Sequence, residues 1–129
     1  MKTNQLKEIA KVTNFMEQVI SEPEDCLKDF NILTQQEANM TTFLEFALKF
    51  FERKTWDIVQ YLEFDTEEFV ILNEVNNTLD DVTKEIASVY HGSIIDETGE
   101  HPYTTDRKGH IIEVIEWAHE YIVGNIEVA

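Results

Sequence analysis

The stretch that decides the fold runs from residue 65 to residue 92 and reads DTEEFVILNEVNNTLDDVTKEIASVYHG. Six of its apolar residues recur at alternating intervals of three and four, which is the heptad spacing of a helix that packs along one side. The run Asp65-Thr66-Glu67-Glu68 is a capping box that would begin the helix, and Gly92 would end it. We therefore predict one long central helix over about residues 66–91, roughly 39 Å in length. The apolar seam consists of Leu72, Val75, Leu79, Val82, Ile86 and Val89.

Helix start signals and apolar periodicity predict further helices on both sides of this one. Two more capping boxes, Ser21-Glu22-Pro23-Glu24 and Thr34-Gln35-Gln36-Glu37, would begin a short helix and then a helix that reaches about Arg53. The latter is apolar over most of its circumference, so we expect it to be central. The remaining predictions are a first helix over about residues 4–20, a loop over 92–106, and a final helix over about 107–123 that stops at Gly124. The pattern of residues 55–64 is ambiguous, and we prefer a short separate helix to a strand there.

Length and composition place the chain among single-domain globular proteins. Its 129 residues include only four Gly and two Pro, and 43% of them are hydrophobic, which argues against disorder despite the acidity. With Cys26 as its one cysteine, the chain can form no internal disulfide, and its beginning does not resemble a signal sequence. Its longest apolar runs are too short to cross a bilayer. We therefore predict an all-α, single-domain bundle of four to six helices over residues 1–129, located in the cytoplasm.

Negative charge is concentrated in the second half of the chain. The formal net charge is −16, from 26 acidic and 10 basic side chains. Residues 1–64 hold seven basic and eleven acidic side chains, a net −4, whereas residues 65–129 hold three and fifteen, a net −12. Such a field repels nucleic acid and anionic membranes, and it accelerates encounter with a basic partner. We therefore expect a basic protein as the partner, with no nucleic acid and no membrane.

Acidic residues form stripes on the two predicted helices of this half. Solvated helices usually place lysines at i+4 from acidic residues to relieve repulsion, but between residues 65 and 106 only Lys84 does so. A chain that tolerates this repulsion is expected to gain something from it, and we predict that these residues bind the partner. The acidic face, as we call this set, consists of Glu67, Glu74, Asp80, Asp81, Glu85, Asp96, Glu97, Glu100, Glu113, Glu116 and Glu120.

Catalytic constellations are incomplete. Glu116 and His119 have the spacing of a metal-binding Glu-x-x-His motif, which di-iron bundles use twice with further glutamates, but here it occurs once. A helical metal-dependent nucleotide hydrolase would need paired carboxylates such as Glu113-x-x-Glu116 and Glu22-x-x-Asp25. The second pair lies at a predicted helix start, where capping explains it. We expect no catalytic residues, no metal and no cofactor.

The sequence also lacks the motifs that nucleophilic catalysis and phosphate binding usually require. Cys26 has Glu24 and Asp25 nearby, and their negative charge would raise the thiol pKa. The chain has no Gly-x-Ser-x-Gly motif and no phosphate-binding glycine loop, and its two arginines are Arg53 and Arg107.

These features predict a protein that is not an enzyme and that neutralises a basic macromolecule. The class that fits best is an immunity protein or antitoxin directed against a nuclease toxin, because nucleases carry cationic clefts for phosphate. Two alternatives stay open, a phage-encoded anti-defence protein that mimics DNA charge and a helical metal-dependent nucleotide hydrolase. The apolar seam is consistent with either a monomer core or an oligomer interface.

Overall fold

The computed structural model describes the backbone of residues 3–89, 93–96, 99–102 and 107–126, and the side chains of residues 4–86 and 108–126. Five α-helices lie within these residues. They are α1 (Thr3–Ser21), α2 (Pro23–Thr34), α3 (Met40–Val59), α4 (Glu67–Val89) and α5 (Arg107–Asn125). Between α4 and α5, strands β1 (Ser93–Asp96) and β2 (Gly99–Pro102) form an antiparallel hairpin in which Ser93 lies opposite Pro102.

The predicted fold class, a helical bundle of four to six helices, is confirmed, and α4 is its predicted long helix. The loop predicted over residues 92–106 is partly wrong, because two segments of it pair as the hairpin. Its glycines, proline and acidic residues suggested a loop, but the β-branched Ile94 and Ile95 favour extended backbone. The predicted helix stop at Gly92 lies outside the described residues.

One hydrophobic core holds the bundle together, and α1, α3, α4 and α5 all contribute to it. The predicted seam of α4 is part of this core from Leu72 to Ile86, and Leu72, Val75 and Leu79 are at most 1% exposed. The side chain of Val89 lies outside the described residues. Helix α2 contributes no fully buried residue and packs from outside against α1 and α3. None of the described helices combines the length and the apolarity that crossing a membrane requires.

The first predicted capping box is wrong. Helix α1 continues through Ser21, and α2 begins at Pro23 with Glu22 as an N-cap that makes no side-chain capping hydrogen bond. Proline disfavours helical backbone in the residue before it, and Glu22 accordingly has φ −133° and ψ 57°. The break between α1 and α2 therefore comes from Pro23 and not from capping by Ser21.

The second capping box is also wrong, and the third is displaced by one residue. Thr34 is the last residue of α2, and its hydroxyl donates to the Phe30 carbonyl at 2.7 Å. Helix α3 begins six residues later, where the side chain of Asn39 accepts a hydrogen bond from the Thr42 amide at 2.9 Å. At the start of α4 the hydroxyl of Thr66, and not the carboxylate of Asp65, accepts the Phe69 amide at 3.2 Å.

Two predicted helix ends are too early. Helix α3 runs on to Val59, so the separate helix predicted within 55–64 is wrong. Burial of Thr55, Ile58 and Val59 on the same side as Phe51 stabilises this last stretch despite its β-branched residues. Helix α5 likewise passes Gly124 and ends at Asn125.

A buried polar contact joins α3 to α4. Asn76 is 5% exposed, and its side-chain amide donates to the Glu52 carbonyl at 2.7 Å and to the Thr55 hydroxyl at 3.1 Å. Thr55 is fully buried, and its single hydroxyl hydrogen is shared between the carbonyls of Phe51 and Glu52, both 2.9 Å from the hydroxyl oxygen. Because buried polar groups are costly when unpaired, this contact specifies how α3 and α4 pack together.

Replacing Asn76 by alanine should therefore lower the free energy of unfolding by about 1 to 3 kcal/mol, because it removes the donor and leaves the Thr55 hydroxyl buried without it. Equilibrium urea denaturation followed by circular dichroism measures the change. The matched control is Asn77→Ala at the next, exposed position of α4, where we expect a change within about 0.5 kcal/mol. Equal effects at the two positions would contradict a structural role for the buried contact.

Candidate partner-binding surface

The α4 residues of the acidic face lie mostly on its outer side. Because the apolar seam is buried, the positions opposite it face solvent, and Glu67, Glu74, Asp81 and Glu85 are all exposed. Asp80 is half-buried on another side of the helix. Four carboxylates therefore share the outer side of α4.

Asp80 is engaged by the one lysine of α4. The Lys84 Nζ lies 2.9 Å from its carboxylate in an i,i+4 ion pair. The hydrogen bond with Asp80, and then the charge of that carboxylate, raise the pKa of Lys84. Exposed pairs of this kind contribute little to stability. The charge of Asp80 is nevertheless partly compensated by that of Lys84.

The second stripe lies on α5. Glu113, Glu116 and Glu120 are exposed, and the opposite side of the helix is buried at Ile111, Ile115, Ala118 and Ile122. Positions three and four apart on a helix are neighbours, so these carboxylates form one row. Lys108 is the one lysine among the described side chains of this helix.

The structure brings the two stripes to neighbouring helices, since α4 packs directly against α5. The Tyr121 hydroxyl of α5 donates a hydrogen bond to the Glu74 carboxylate of α4 at 2.7 Å. This bond is the largest of the causes that raise the pKa of Tyr121, followed by burial and the charge of Glu74. Glu74 thus joins α4 to α5 through this hydrogen bond.

Two aromatic residues beside this junction were not singled out from the sequence. The rings of Trp117 and Tyr121 stack with centroids 5.4 Å apart and planes at 18°, and both side chains are half-buried. Their i,i+4 spacing was a visible signal of contact along one helix. Only the packing of α4 on α5 shows that this pair lies next to Glu74.

The hairpin members of the acidic face are placed by backbone alone. Asp96 ends β1 opposite Gly99, and Glu100 lies in β2 opposite Ile95. The side chains of Asp96 and Glu100, and all of Glu97, lie outside the described residues. Eight of the eleven predicted residues are therefore described with their side chains, five on α4 and three on α5.

Chemically, this surface is a set of hydrogen-bond acceptors with negative charge. Ionised carboxylates accept from arginine and lysine side chains in charge-assisted bonds, and arginine can bind one in a bidentate manner. The half-buried Trp117 and Tyr121 add flat apolar area of the kind that anchors protein interfaces. The surface suits a partner with clustered arginine and lysine residues.

The candidate enzyme residues are not assembled into a site in the described part of the chain. Glu116 is exposed and His119 is half-buried, while Glu22 and Asp25 are exposed at the junction of α1 and α2. Among the described residues, no three side chains of types that ligate metals converge. The described residues therefore include no cluster that supports the hydrolase alternative.

Cys26 is half-buried on α2 beside the hydrophobic core. Burial, and then the charges of Asp29, Glu22 and Asp25, raise the pKa of its thiol. The predicted direction is confirmed, although burial is the largest cause and Glu24 is not among the charges responsible. A thiol with a raised pKa is a weak nucleophile at neutral pH.

We expect purified protein to contain no stoichiometric transition metal, and we expect His119→Ala to leave its metal content unchanged. Elemental analysis after exposure to zinc, manganese and iron salts measures this. A stoichiometric ion that is lost in His119→Ala but retained in His110→Ala would establish a metal site at Glu116 and His119, and would overturn the binding interpretation.

Comparison of the chain with family models, curated proteins and solved structures finds no match.

Proposed function

We propose that this protein is an acidic inhibitor that binds and neutralises a basic macromolecule, specifically an immunity protein or antitoxin directed against a nuclease toxin. The observation that carries the proposal is the pair of adjacent helices whose outer sides carry Glu67, Glu74 and Asp81 on α4 and Glu113 and Glu120 on α5. These carboxylates have few lysines among them, so the surface presents nearly uniform negative charge.

The fit to a nuclease is electrostatic. A nuclease must hold polyphosphate, so its cleft is lined with arginine and lysine residues and is blocked by a surface of opposite charge. A charge of −16 accelerates the approach to such a cleft, and this acceleration weakens as salt screens the field. The helices that carry the charge are held by a common core, so little ordering is needed on binding.

The proposal gives the protein no catalytic role and places it in the cytoplasm. A nuclease toxin threatens the DNA or RNA of the cell that makes it, so its inhibitor has to act where those nucleic acids are. The single cysteine is compatible with a reducing compartment.

A phage anti-defence protein that mimics DNA charge is the second candidate, and the same observation supports it. Two adjacent helices each carry a row of carboxylates, and these rows share the negative sign of the two phosphate backbones of a duplex. The two candidates differ in the target, which is a toxin in one case and a DNA-binding defence protein in the other.

The deciding experiment uses the product of the reading frame directly upstream of this gene. Expressed and purified, it should cleave DNA or RNA, and one equivalent of this chain should abolish the cleavage. The control is the chain with Glu74, Asp81, Glu113 and Glu120 each replaced by lysine, which should not inhibit. An upstream product without nuclease activity, or cleavage that continues in the presence of the chain, would contradict the toxin-inhibitor proposal; a phage early operon would point to the second candidate.

A further inference from the structure

Helix α3 exposes aromatic and charged side chains on the side that faces away from the core. Phe46 is 45% exposed and Trp56 is 49% exposed, and Lys49, Arg53 and Asp57 are exposed beside them. The spacing of these residues places them along one side of the helix. The sequence predicted that α3 would be central because it is apolar over most of its circumference, yet this side remains uncovered. We call these five residues the outer face of α3.

Phe46 of the outer face is held in place by neighbouring aromatic rings. The ring of Phe46 lies 4.7 Å from that of Phe30 on α2 and 6.3 Å from that of Phe50, measured between centroids. The Lys54 ammonium lies 5.5 Å from the centre of the Phe50 ring. A side chain held by such neighbours loses little rotamer freedom when a partner covers it, so binding here carries a small entropic cost.

The charged part of the outer face holds both signs. Lys49 and Arg53 are basic and Asp57 is acidic, and α3 as a whole carries three basic and three acidic side chains. Two ion pairs are formed among the described side chains, Lys11 with Glu8 and Lys84 with Asp80. Neither of them includes a charged residue of the outer face. Because the patch carries apolar groups and both signs, two copies of it can be placed so that opposite charges face each other.

We propose that the outer face of α3 is an interface at which two copies of this chain pair with two-fold symmetry. In such a pairing each copy offers the same patch, so Lys49 or Arg53 of one copy can meet Asp57 of the other while aromatic side chains are buried between them. A single-sign partner would leave one sign of the patch unpaired. A copy of this chain does not, and the acidic face cannot serve as the contact because it would meet its own charge.

Charge also predicts how the dimer responds to salt. Each copy has a net charge of −16, so the two repel each other at long range, and added salt screens that repulsion. Dimerisation should therefore strengthen with salt, whereas binding of a basic partner to the acidic face should weaken. The opposite signs separate this proposal from the proposed function, and either can fail alone.

The test is sedimentation velocity at roughly micromolar concentrations, over roughly 0.05 to 0.3 M NaCl, where the Debye length falls through about 10 Å. We expect a monomer–dimer equilibrium whose dissociation constant decreases several-fold with added salt. The variant Phe46→Ser with Trp56→Ser should raise that constant at least about tenfold. Circular dichroism and thermal melting of the variant establish that it is folded. The control, Phe64→Ser with Val70→Ser, removes side chains that are 83% and 57% exposed elsewhere and should dimerise normally.

Each alternative result overturns the proposal. A chain that remains monomeric throughout has no such interface. A dimer that persists in the Phe46 and Trp56 variant, or that is lost in the Phe64 and Val70 control, pairs through another surface. A dimer that dissociates when salt is added is held mainly by attraction between opposite charges, which contradicts an interface held by the aromatic side chains of the outer face.

Discussion

Replacing Leu79 by alanine should lower the free energy of unfolding by about 2 to 5 kcal/mol. Leu79 is fully buried at the middle of α4, between Val75 and Val82 of the seam, and belongs to the core that four helices share. The substitution removes buried apolar contact and leaves a cavity that rigid neighbours fill only in part. Equilibrium urea denaturation should show a lower midpoint with an unchanged slope.

The control for this substitution is Val70→Ala on the same helix. Val70 is 57% exposed, so its truncation should change the free energy of unfolding by no more than about 0.5 kcal/mol. A change as small as that at Leu79 would mean that the seam is not packed in the monomer. The seam would then be free to form an oligomer interface.

The structure places the seam in the core, which the sequence alone left open. A heptad spacing indicates that one side of a helix packs against another helix, but it does not indicate whether that helix belongs to the same chain. In this protein α3 and α5 supply the cover, through residues such as Leu48, Phe51 and Ile115 that are at most 1% exposed. Self-association therefore has to use another surface, and the outer face of α3 is the surface we propose.

Helix existence was predictable because it depends on local periodicity, whereas helix ends were not. Ser21 and Thr34 each stand three residues before a glutamate, as in a capping box, but both lie inside or at the end of a preceding helix. Pro23 decides the first break through its effect on Glu22, and Asn39 is the cap that α3 uses. The sequence pattern alone does not show which of several possible capping residues a helix uses.

The polar contacts that specify how the helices pack were also not predictable from the sequence. Asn76 looks like an ordinary polar residue of α4, and only the approach of α3 turns it into a buried donor to the Glu52 carbonyl. The acidic stripes were predictable from spacing and from the scarcity of lysine. The packing of α4 against α5, the two helices that carry the stripes, was not predictable, and the bond between Tyr121 and Glu74 is its direct sign.

Reversing the charge of Glu74 and Asp81 together, by lysine at both positions, should slow association with the basic partner and flatten its dependence on salt. Both residues are exposed on the outer side of α4, where they contribute to the field that steers encounter. We expect an association rate about tenfold lower at low ionic strength. If either carboxylate is buried against an arginine or lysine in the complex, its loss should cost a further 2 to 5 kcal/mol or so in binding. Stopped-flow kinetics over a salt series measures both effects.

Glu74 needs its own control because it accepts the hydrogen bond from Tyr121. Tyr121→Phe removes that bond and retains the carboxylate, so a loss of binding shared by Tyr121→Phe would come from the bond and not from the charge. Glu113→Lys with Glu120→Lys provides an independent pair on α5, for which the structure records no hydrogen bond at either carboxylate in the described part of the chain. This pair should slow association to a similar degree.

The charge reversal should leave the fold intact, with thermal stability unchanged or slightly raised, since it relieves repulsion among like charges. Lys7→Glu with Lys11→Glu is the matched reversal on α1, in the less acidic half, and should change association little, although it also removes the exposed ion pair of Lys11 with Glu8. A partner whose affinity ignores salt and the acidic-face variants, but responds to the Lys7 and Lys11 variant, would contradict the proposed function. The asymmetric charge would then serve solubility, because a large net charge of one sign is enough by itself to keep copies of a protein from aggregating.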